Sequence, residues 1–263
     1  MARYFAYLSY DGANYHGWQV QPNGESVQAV VERALSLLLR SCITVTAAGR
    51  TDAGVNAEIM PVHFDVSGEL PFIGRAKVGA NCIAEQQLCY KLNSILPRDI
   101  AVKKIVRVKD SAHARFSAIR RTYRYFVSLK KDPFRIYSYK VLMPINFDLM
   151  NEAATLLLGT HDFDCFAKAH PDVKTSICTV DYARWEQVGD ELWCFEISAD
   201  RFLRNMVRAV VGTLLEIGCG KKNVSQLTPI MESRNRSLAG ESVPGKALFL
   251  TNVEYPDEIF FEQ

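Results

Sequence analysis

The chain has 263 residues, a formal net charge of +2, 48% hydrophobic and 23% charged residues, the balance of an ordinary globular protein that buries a core without staples. Seven cysteines, odd in number and without Cys-x-x-Cys spacing, and five scattered histidines argue against a disulfide framework and against structural zinc. No run reaches the ~18 apolar residues of a membrane span, and the N-terminus lacks the apolar core and cleavage site of a signal peptide, so a reduced, cytoplasmic protein is expected.

Residues 3–10 alternate as a strand. Asp11-Gly12-Ala13-Asn14 signals a turn, and a loop rich in aromatic and amide groups follows, with Trp18 and Gln19. A Trp in such a loop is more often core than a platform for bases. Ser26 suits a helix N-cap, and Val27, Val30, Val31, Ala34, Leu35, Leu38 and Leu39 then repeat at helical spacing as far as Ser41. Strands are expected over 43–48 and 59–66. The stretch 68–83 is less regular. A helix over 85–96 is stopped by Pro97, and a strand follows over 100–108. Strand, helix, strand, strand, helix, strand is the order of a ferredoxin-like unit.

The second half repeats that order loosely. A long strand is expected over 115–129. Asp148 is a plausible cap for a helix carrying Met150, Ala153, Ala154, Leu157 and Leu158, closed by Gly159. A loop covers 161–171. Strands over 175–188 and 192–199 are joined by Gly189-Asp190, a hairpin signal. A long helix is expected over 202–217, a shorter one over 224–232, and a last strand over 247–253. The expected architecture is therefore α+β, two tandem βαββαβ-type halves divided into 1–110 and 111–263. On the long helix, Arg201, Arg204 and Arg208 share one face if the helix includes position 201. Gly212 continues that face and lets another backbone come close.

Charge is unevenly distributed. Residues 98–135 hold twelve Lys/Arg and three Asp with no Glu, a local +9 that leaves −7 for the rest. Interleaved with Phe116, Tyr123, Tyr125 and Phe126, this block suggests a polyanion, RNA above all, or else a solvated strand face.

Between the expected strands 43–48 and 59–66 runs Gly49-Arg50-Thr51-Asp52-Ala53-Gly54. Glycines at its ends supply backbone freedom. Such clusters mostly mark turns. Yet a loop held by apolar strands is also how a scaffold presents a catalytic group. An Arg beside an Asp keeps the carboxylate ionised and able to act as a nucleophile.

That motif, extended to Val55, resembles the active-site motif of the tRNA pseudouridine synthase A family. The resemblance continues in order along nearly the whole chain. It takes in Tyr10-Asp-Gly12 with Tyr15-His-Gly-Trp-Gln19, Ser26-Val-Gln28, and His113-Ala-Arg-Phe-Ser-Ala118. It goes on through Arg121-Thr-Tyr-Arg-Tyr125 to Phe202-Leu-Arg-Asn-Met-Val-Arg208 with Gly212. It implies two halves whose antiparallel sheets join, with a cleft between them. It also implies isomerisation of uridine to pseudouridine at positions 38, 39 and 40 of the tRNA anticodon stem-loop, and a homodimer whose tRNA contacts both subunits. Asp52 would be the nucleophile. Tyr123 would stack on the flipped uracil or move a proton, and Arg208 would pair with Asp52. Arg50 would hold phosphates or the flipped nucleotide, Arg201 and Arg204 would lie nearer the RNA backbone, and Leu248 would be an apolar wall of the pocket. The 68–83 stretch is longer than the family's usual connection and reads as a surface insertion. Asn56 stands where the family commonly has His, which puts only a histidine role there in doubt.

The isomerisation breaks the glycosidic N1–C1′ bond and rejoins the base through C5 without redox change, so no cofactor is required. The residues leave open whether Asp52 attacks C1′, attacks C6 or first helps remove a sugar proton. Two other readings compete. One is a noncatalytic RNA-binding protein of two ferredoxin-like modules, disfavoured because no strand carries the RNP1 pattern. The other is a carboxylate hydrolase of nucleosides, which lacks an evident second carboxylate.

Overall fold

The computed structural model describes residues 1–22, 24–68, 70, 80–168 and 175–261. They form a mixed α+β protein with mostly antiparallel strands and five α-helices among the described residues. Packing divides the chain into two compact units, Met1–Ile119 with Asn252–Gln263, and Arg120–Thr251. The division expected at 110/111 thus differs by a segment that packs with the first unit, and by the chain's end, which returns to it.

In the first unit, β1 (Ala2–Tyr10) lies between β3 (Asn56–Val66) and β4 (Ile100–Arg107), antiparallel to both. Helix α1 (Val27–Leu39) begins as expected, with the Ser26 hydroxyl accepting from Ala29 N. It buries Val27, Val30, Val31, Ala34 and Leu35. The strand expected over 43–48 shrinks to β2 (Thr46–Ala47), paired with β3. The reason is local. The amides of Ile43 and Val45 donate to Ser36 Oγ and Glu32 Oε1 on α1, both at 2.9 Å, and so do not join a ladder. Helix α2 (Ala80–Ile95) starts earlier than expected and takes in the end of the proposed insertion; residues 69 and 71–79 of that insertion lie outside the described residues. The last segment covers one sheet face. Val108 bridges Phe260, and Phe5, Tyr7, Ala112, Ala114 and Ile259 cluster beneath it.

In the second unit, β5 (Arg120–Ser128) pairs with β9 (Leu192–Ala199), which pairs with β8 (Ile177–Gly189) and that with β7 (Gly159–Asp162). A short β6 (Tyr139–Lys140) runs parallel to β5. The start of β10 (Leu248–Glu254) lies on the other side of β5, where Thr251 donates to the Thr122 carbonyl. Helix α3 (Phe147–Thr155) is capped by Asn146, not Asp148, which sits in its first turn. Helix α4 (Met206–Gly218) is almost wholly buried, and α5 (Leu227–Ser233) follows a 3-10 turn. The loop expected over 161–171 holds the end of β7 and a 3-10 turn over Asp164–Phe166; residues 169–171 lie outside the described residues.

Part of the basic block is answered within the fold. Arg124 sits opposite Glu196 in the β5–β9 register and bonds it at 2.6 Å. Arg120 pairs with Asp181 at 2.9 Å, Lys130 with Asp190, Arg135 with Asp132 and Arg107 with Asp110. Each such exposed pair is worth at most about 1 kcal/mol. Asp110 and Asp132 are already counted in the +9 of this stretch, so the three partners from outside it, Asp181, Asp190 and Glu196, lower it by three to +6.

Among the described residues no helix is long and apolar enough to cross a membrane.

Candidate active site

The loop over residues 49–54 is held from beneath by the turn that follows β1. Tyr10 Oη and Thr51 Oγ1 share a buried hydrogen bond of 2.8 Å. Trp18 N donates to the Thr51 carbonyl at 3.1 Å, and Trp18 itself is buried against Tyr10. Gly12 N donates to Asn56 Oδ1 at 2.9 Å, so Asn56 is a buried strut. Val55 N closes the turn on the Asp52 carbonyl at 3.1 Å.

Glycine is required at two points of this contact. A Cβ on Gly12 would lie 2.2 Å from the Val55 carbonyl oxygen, and one on Gly17, where φ is +92, would lie 2.6 Å from the Thr51 carbonyl oxygen. Within the loop, Gly54 adopts φ +74. A Cβ on Gly49 would meet nothing within 4 Å and its φ is not positive, so the conformational freedom of glycine is needed at Gly54 and not at Gly49. Thr51 is buried, Asp52 half-buried and Arg50 exposed. A carboxylate is thus offered at the surface from a loop whose neighbours on both sides are locked.

The rival carboxylates have other work. Asp65 takes two hydrogen bonds from Arg3, at 2.8 and 2.7 Å, and the guanidinium holds its carboxyl below the usual range. Glu85, pushed up by burial, accepts from Arg107 N.

The remaining expected site residues lie in the second unit. Tyr123 is half-buried on β5, edge-on to Phe202 at 5.0 Å. Tyr125, two residues along the same strand face, is fully buried and donates to the Pro244 carbonyl at 3.1 Å. Leu248 is buried at the start of β10.

Arg201 and Arg204 do not share the helix with Arg208. Asn205 takes a left-handed conformation (φ 68) and α4 begins only at Met206. The i, i+3, i+7 face read from the sequence is therefore interrupted, and Arg204 is exposed on a turn.

Arg208 and Gly212, one turn apart, face a loop that sequence reasoning missed. Arg208 Nε donates to the Val243 carbonyl at 2.7 Å, and Val243 N returns a bond to the Arg208 carbonyl at 3.2 Å. At Gly212 a Cβ would lie 1.8 Å from the Glu241 carbonyl oxygen. Gly240 N donates to Thr213 Oγ1 at 2.8 Å. Arg236 bonds the Gly240 carbonyl at 3.0 Å and Ser242 Oγ at 2.9 Å, and Asn205 reaches the same Ser242 at 2.7 Å. The expectation that Gly212 admits another backbone is met by this loop. The guanidinium of Arg208 is consequently aimed by the Val243 main-chain carbonyl, not left to roam on a solvated face. The only sequence signal for the loop was its run of Ala239-Gly240 and Pro244-Gly245.

On β3, His63 is buried and carries a pH consequence. Burial foremost, then the Arg3 charge, pushes its pKa down to about 4. An unfolded imidazole titrates near 6.5. Between those values the unfolded chain binds a proton that the folded chain refuses, so stability is full above pH 6.5 and falls as pH drops toward 4. The urea midpoint should drop between pH 7 and pH 5. His63→Gln should flatten that drop by on the order of 2 kcal/mol. Parallel curves for the two proteins would refute this origin.

Comparison with known proteins bears on the whole chain. A family profile described as tRNA pseudouridine synthase matches residues 153–256. A protein of Bacteroides fragilis named tRNA pseudouridine synthase A is 52% identical over 259 residues, covering 98% of each chain. Its namesake from Bacteroides thetaiotaomicron is 50% identical, covering 100% of this chain and 94% of the other. A namesake from Bacillus subtilis is 39% identical over 94% of this chain and 97% of the other. With such identity running from end to end, the chain belongs to the tRNA pseudouridine synthase A family, isomerases that convert uridine to pseudouridine.

Proposed function

We propose that this protein isomerises uridine to pseudouridine at positions 38, 39 and 40 of the tRNA anticodon stem-loop, with Asp52 as the nucleophile. The observation that carries the assignment is the locked loop. Tyr10, Gly12, Gly17 and Trp18 hold Thr51 and Asn56 in place, and Asp52 stands half-exposed between them. A fixed carboxylate that can form a reversible adduct is what this chemistry asks of a protein. A base within a stem is out of reach and must be flipped out first, at a cost of a few kcal/mol. Tyr123, edge-on to Phe202, is the aromatic surface for the flipped uracil, with Leu248 as an apolar wall. Arg50 holds phosphates or the flipped nucleotide. Arg201 and Arg204, on a turn, contact the RNA backbone independently of Arg208.

Arg208 is the proposed ion-pair partner of Asp52. The Val243 carbonyl accepts from its Nε and so fixes one edge of the guanidinium, which supports a directed role. Arg208→Ala should lower turnover by more than about a hundredfold, the scale of a lost charge stabiliser. It should leave the salt dependence of tRNA binding nearly unchanged. An effect confined to that salt slope would make Arg208 a phosphate contact instead.

The strand order supports two ferredoxin-like halves. The first unit's strands lie in the order β4-β1-β3-β2. The second unit's main strands repeat it as β10-β5-β9-β8, with helices at matching places in the chain. A homodimer in the cytoplasm completes the proposal. Exposed Phe134, Ile136, Leu142 and Met143 offer apolar surface that a second copy would cover. A sedimentation mass of one chain would remove the dimer.

The test of the function is release of tritium from unmodified tRNA labelled at uridine C5, because the new C5–C1′ bond expels that hydrogen. Release in proportion to pseudouridine formed is expected. Salt-dependent tRNA binding without release would favour a noncatalytic RNA-binding protein.

A further inference from the structure

Residues 115–119, expected to open the long strand, instead belong to a turn built on two histidines. The buried His63 accepts from Ala114 N at 3.1 Å. The His113 ring meets His63 edge-on at 4.6 Å, and its Nδ1 accepts from Arg115 N at 3.1 Å and Phe116 N at 3.2 Å. His113 N donates to Ser117 Oγ, and Ser117 N donates back to the His113 carbonyl, both at 2.9 Å. These bonds fix the backbone from 113 to 117.

Phe116 stands on this pedestal. Its ring rests 4.3 Å from the His113 ring at a tilt of 34°, yet 75% of the residue is exposed. The Arg115 guanidinium lies over it, 5.5 Å from the ring centroid. Burial would stabilise a phenyl ring. A locked turn that keeps one in water forgoes that gain unless something else covers it. An aromatic face on a rigid support with a cation beside it is what an unpaired base stacks on.

We propose that Phe116 and Arg115 form a stacking subsite for an unpaired nucleobase of the substrate RNA, separate from the Asp52 loop. The proposal rests on the tRNA reading above. His63 lies seven residues along β3 from Asn56 at the end of the catalytic loop, about 24 Å at the rise of an antiparallel strand. The loop starts beside Pro61, where Ala48 N donates to the Pro61 carbonyl. Asp52 sits at its far end, tied through its carbonyl to Val55 N, so an RNA stacked on Phe116 reaches Asp52 with a different nucleotide.

The test uses full-length protein and an unmodified anticodon stem-loop RNA, with Kd from fluorescence anisotropy at several salt concentrations. Phe116→Leu keeps an apolar cover over His113 but removes the π face, and should weaken binding roughly fivefold to a hundredfold. The salt slope should stay unchanged, since no phosphate contact is lost. Phe116→Trp should restore affinity, and RNA should quench the new indole. Phe116→Leu binding as tightly as the native protein would overturn the subsite. So would a changed slope, which would make the residue a prop for an Arg115–phosphate contact, or a Trp variant that binds weakly without quenching. Native protein that fails to bind the RNA at all would instead sink the functional reading on which this proposal stands.

Discussion

Asp52→Asn is expected to abolish turnover while sparing tRNA affinity. The substitution is nearly isosteric and leaves the loop's anchors untouched, because Thr51 is held through its own hydroxyl and carbonyl and Asn56 through Gly12. Val55 N bonds the Asp52 main-chain carbonyl, which the variant keeps. What disappears is the carboxylate proposed as the nucleophile, since a neutral amide cannot form and release the adduct. The loss should be on the order of 10⁴-fold or more, the scale seen when a nucleophile is removed from a working site. Single-turnover tritium release at saturating tRNA reads it directly. Unchanged Kd with no release is the expected pair. A fully active Asn variant would move the chemistry to another residue.

Gly212→Ala should have the largest effect on the fold. An added Cβ would fall 1.8 Å from the Glu241 carbonyl oxygen, an atom of main chain and not the tip of a flexible side chain. Either α4 or the loop over 239–245 must move. Overpacking in well-packed interiors costs about 1–3 kcal/mol, occasionally more, and this contact belongs at the upper end. A thermal midpoint lowered by roughly 6–12 °C follows for a protein of this size. Moving the loop also releases the Val243 carbonyl from Arg208, so any folded variant should lose turnover beyond what its stability explains. A variant of native midpoint would mean that the helix and loop are not in the tight contact described.

The parts of the fold legible in the sequence were those set by side chains acting locally. Alternation marked β1, and a serine cap with helical spacing marked α1. Where side chains bonded main chain across elements, pattern reading failed. Glu32 and Ser36 took the amides that β2 would have used. Asn146, two residues before the expected Asp148, capped α3. At α4 the apolar residues Phe202 and Leu203 prolonged a helical pattern that Asn205 breaks by its left-handed backbone. Likewise His113 used its ring to accept amide protons and made a turn of what read as strand. The motif around Asp52 was visible as residues, but its support came from Tyr10, Gly12, Gly17 and Trp18, some forty positions away. The loop that aims Arg208 holds it through the Val243 carbonyl oxygen, which any residue type supplies, so only its Gly and Pro residues left a trace in the sequence. Charge counting pointed to RNA but could not see that Asp181, Asp190 and Glu196, far along the chain, answer two arginines and a lysine of the block.

The return of the chain's end to the first unit bears on how the protein is made. Residues 1–119 leave the ribosome long before residues 252–261, on which Val108, Lys109 and Ile119 depend for backbone partners. At usual synthesis rates of 5–20 residues per second, the intervening stretch takes roughly ten seconds. Through that interval Phe5 and Tyr7 lack the Tyr255, Ile259 and Phe260 packing that finishes their cluster. Until residue 260 has been synthesised, the half that carries Asp52 therefore keeps an uncovered face over Phe5 and Tyr7.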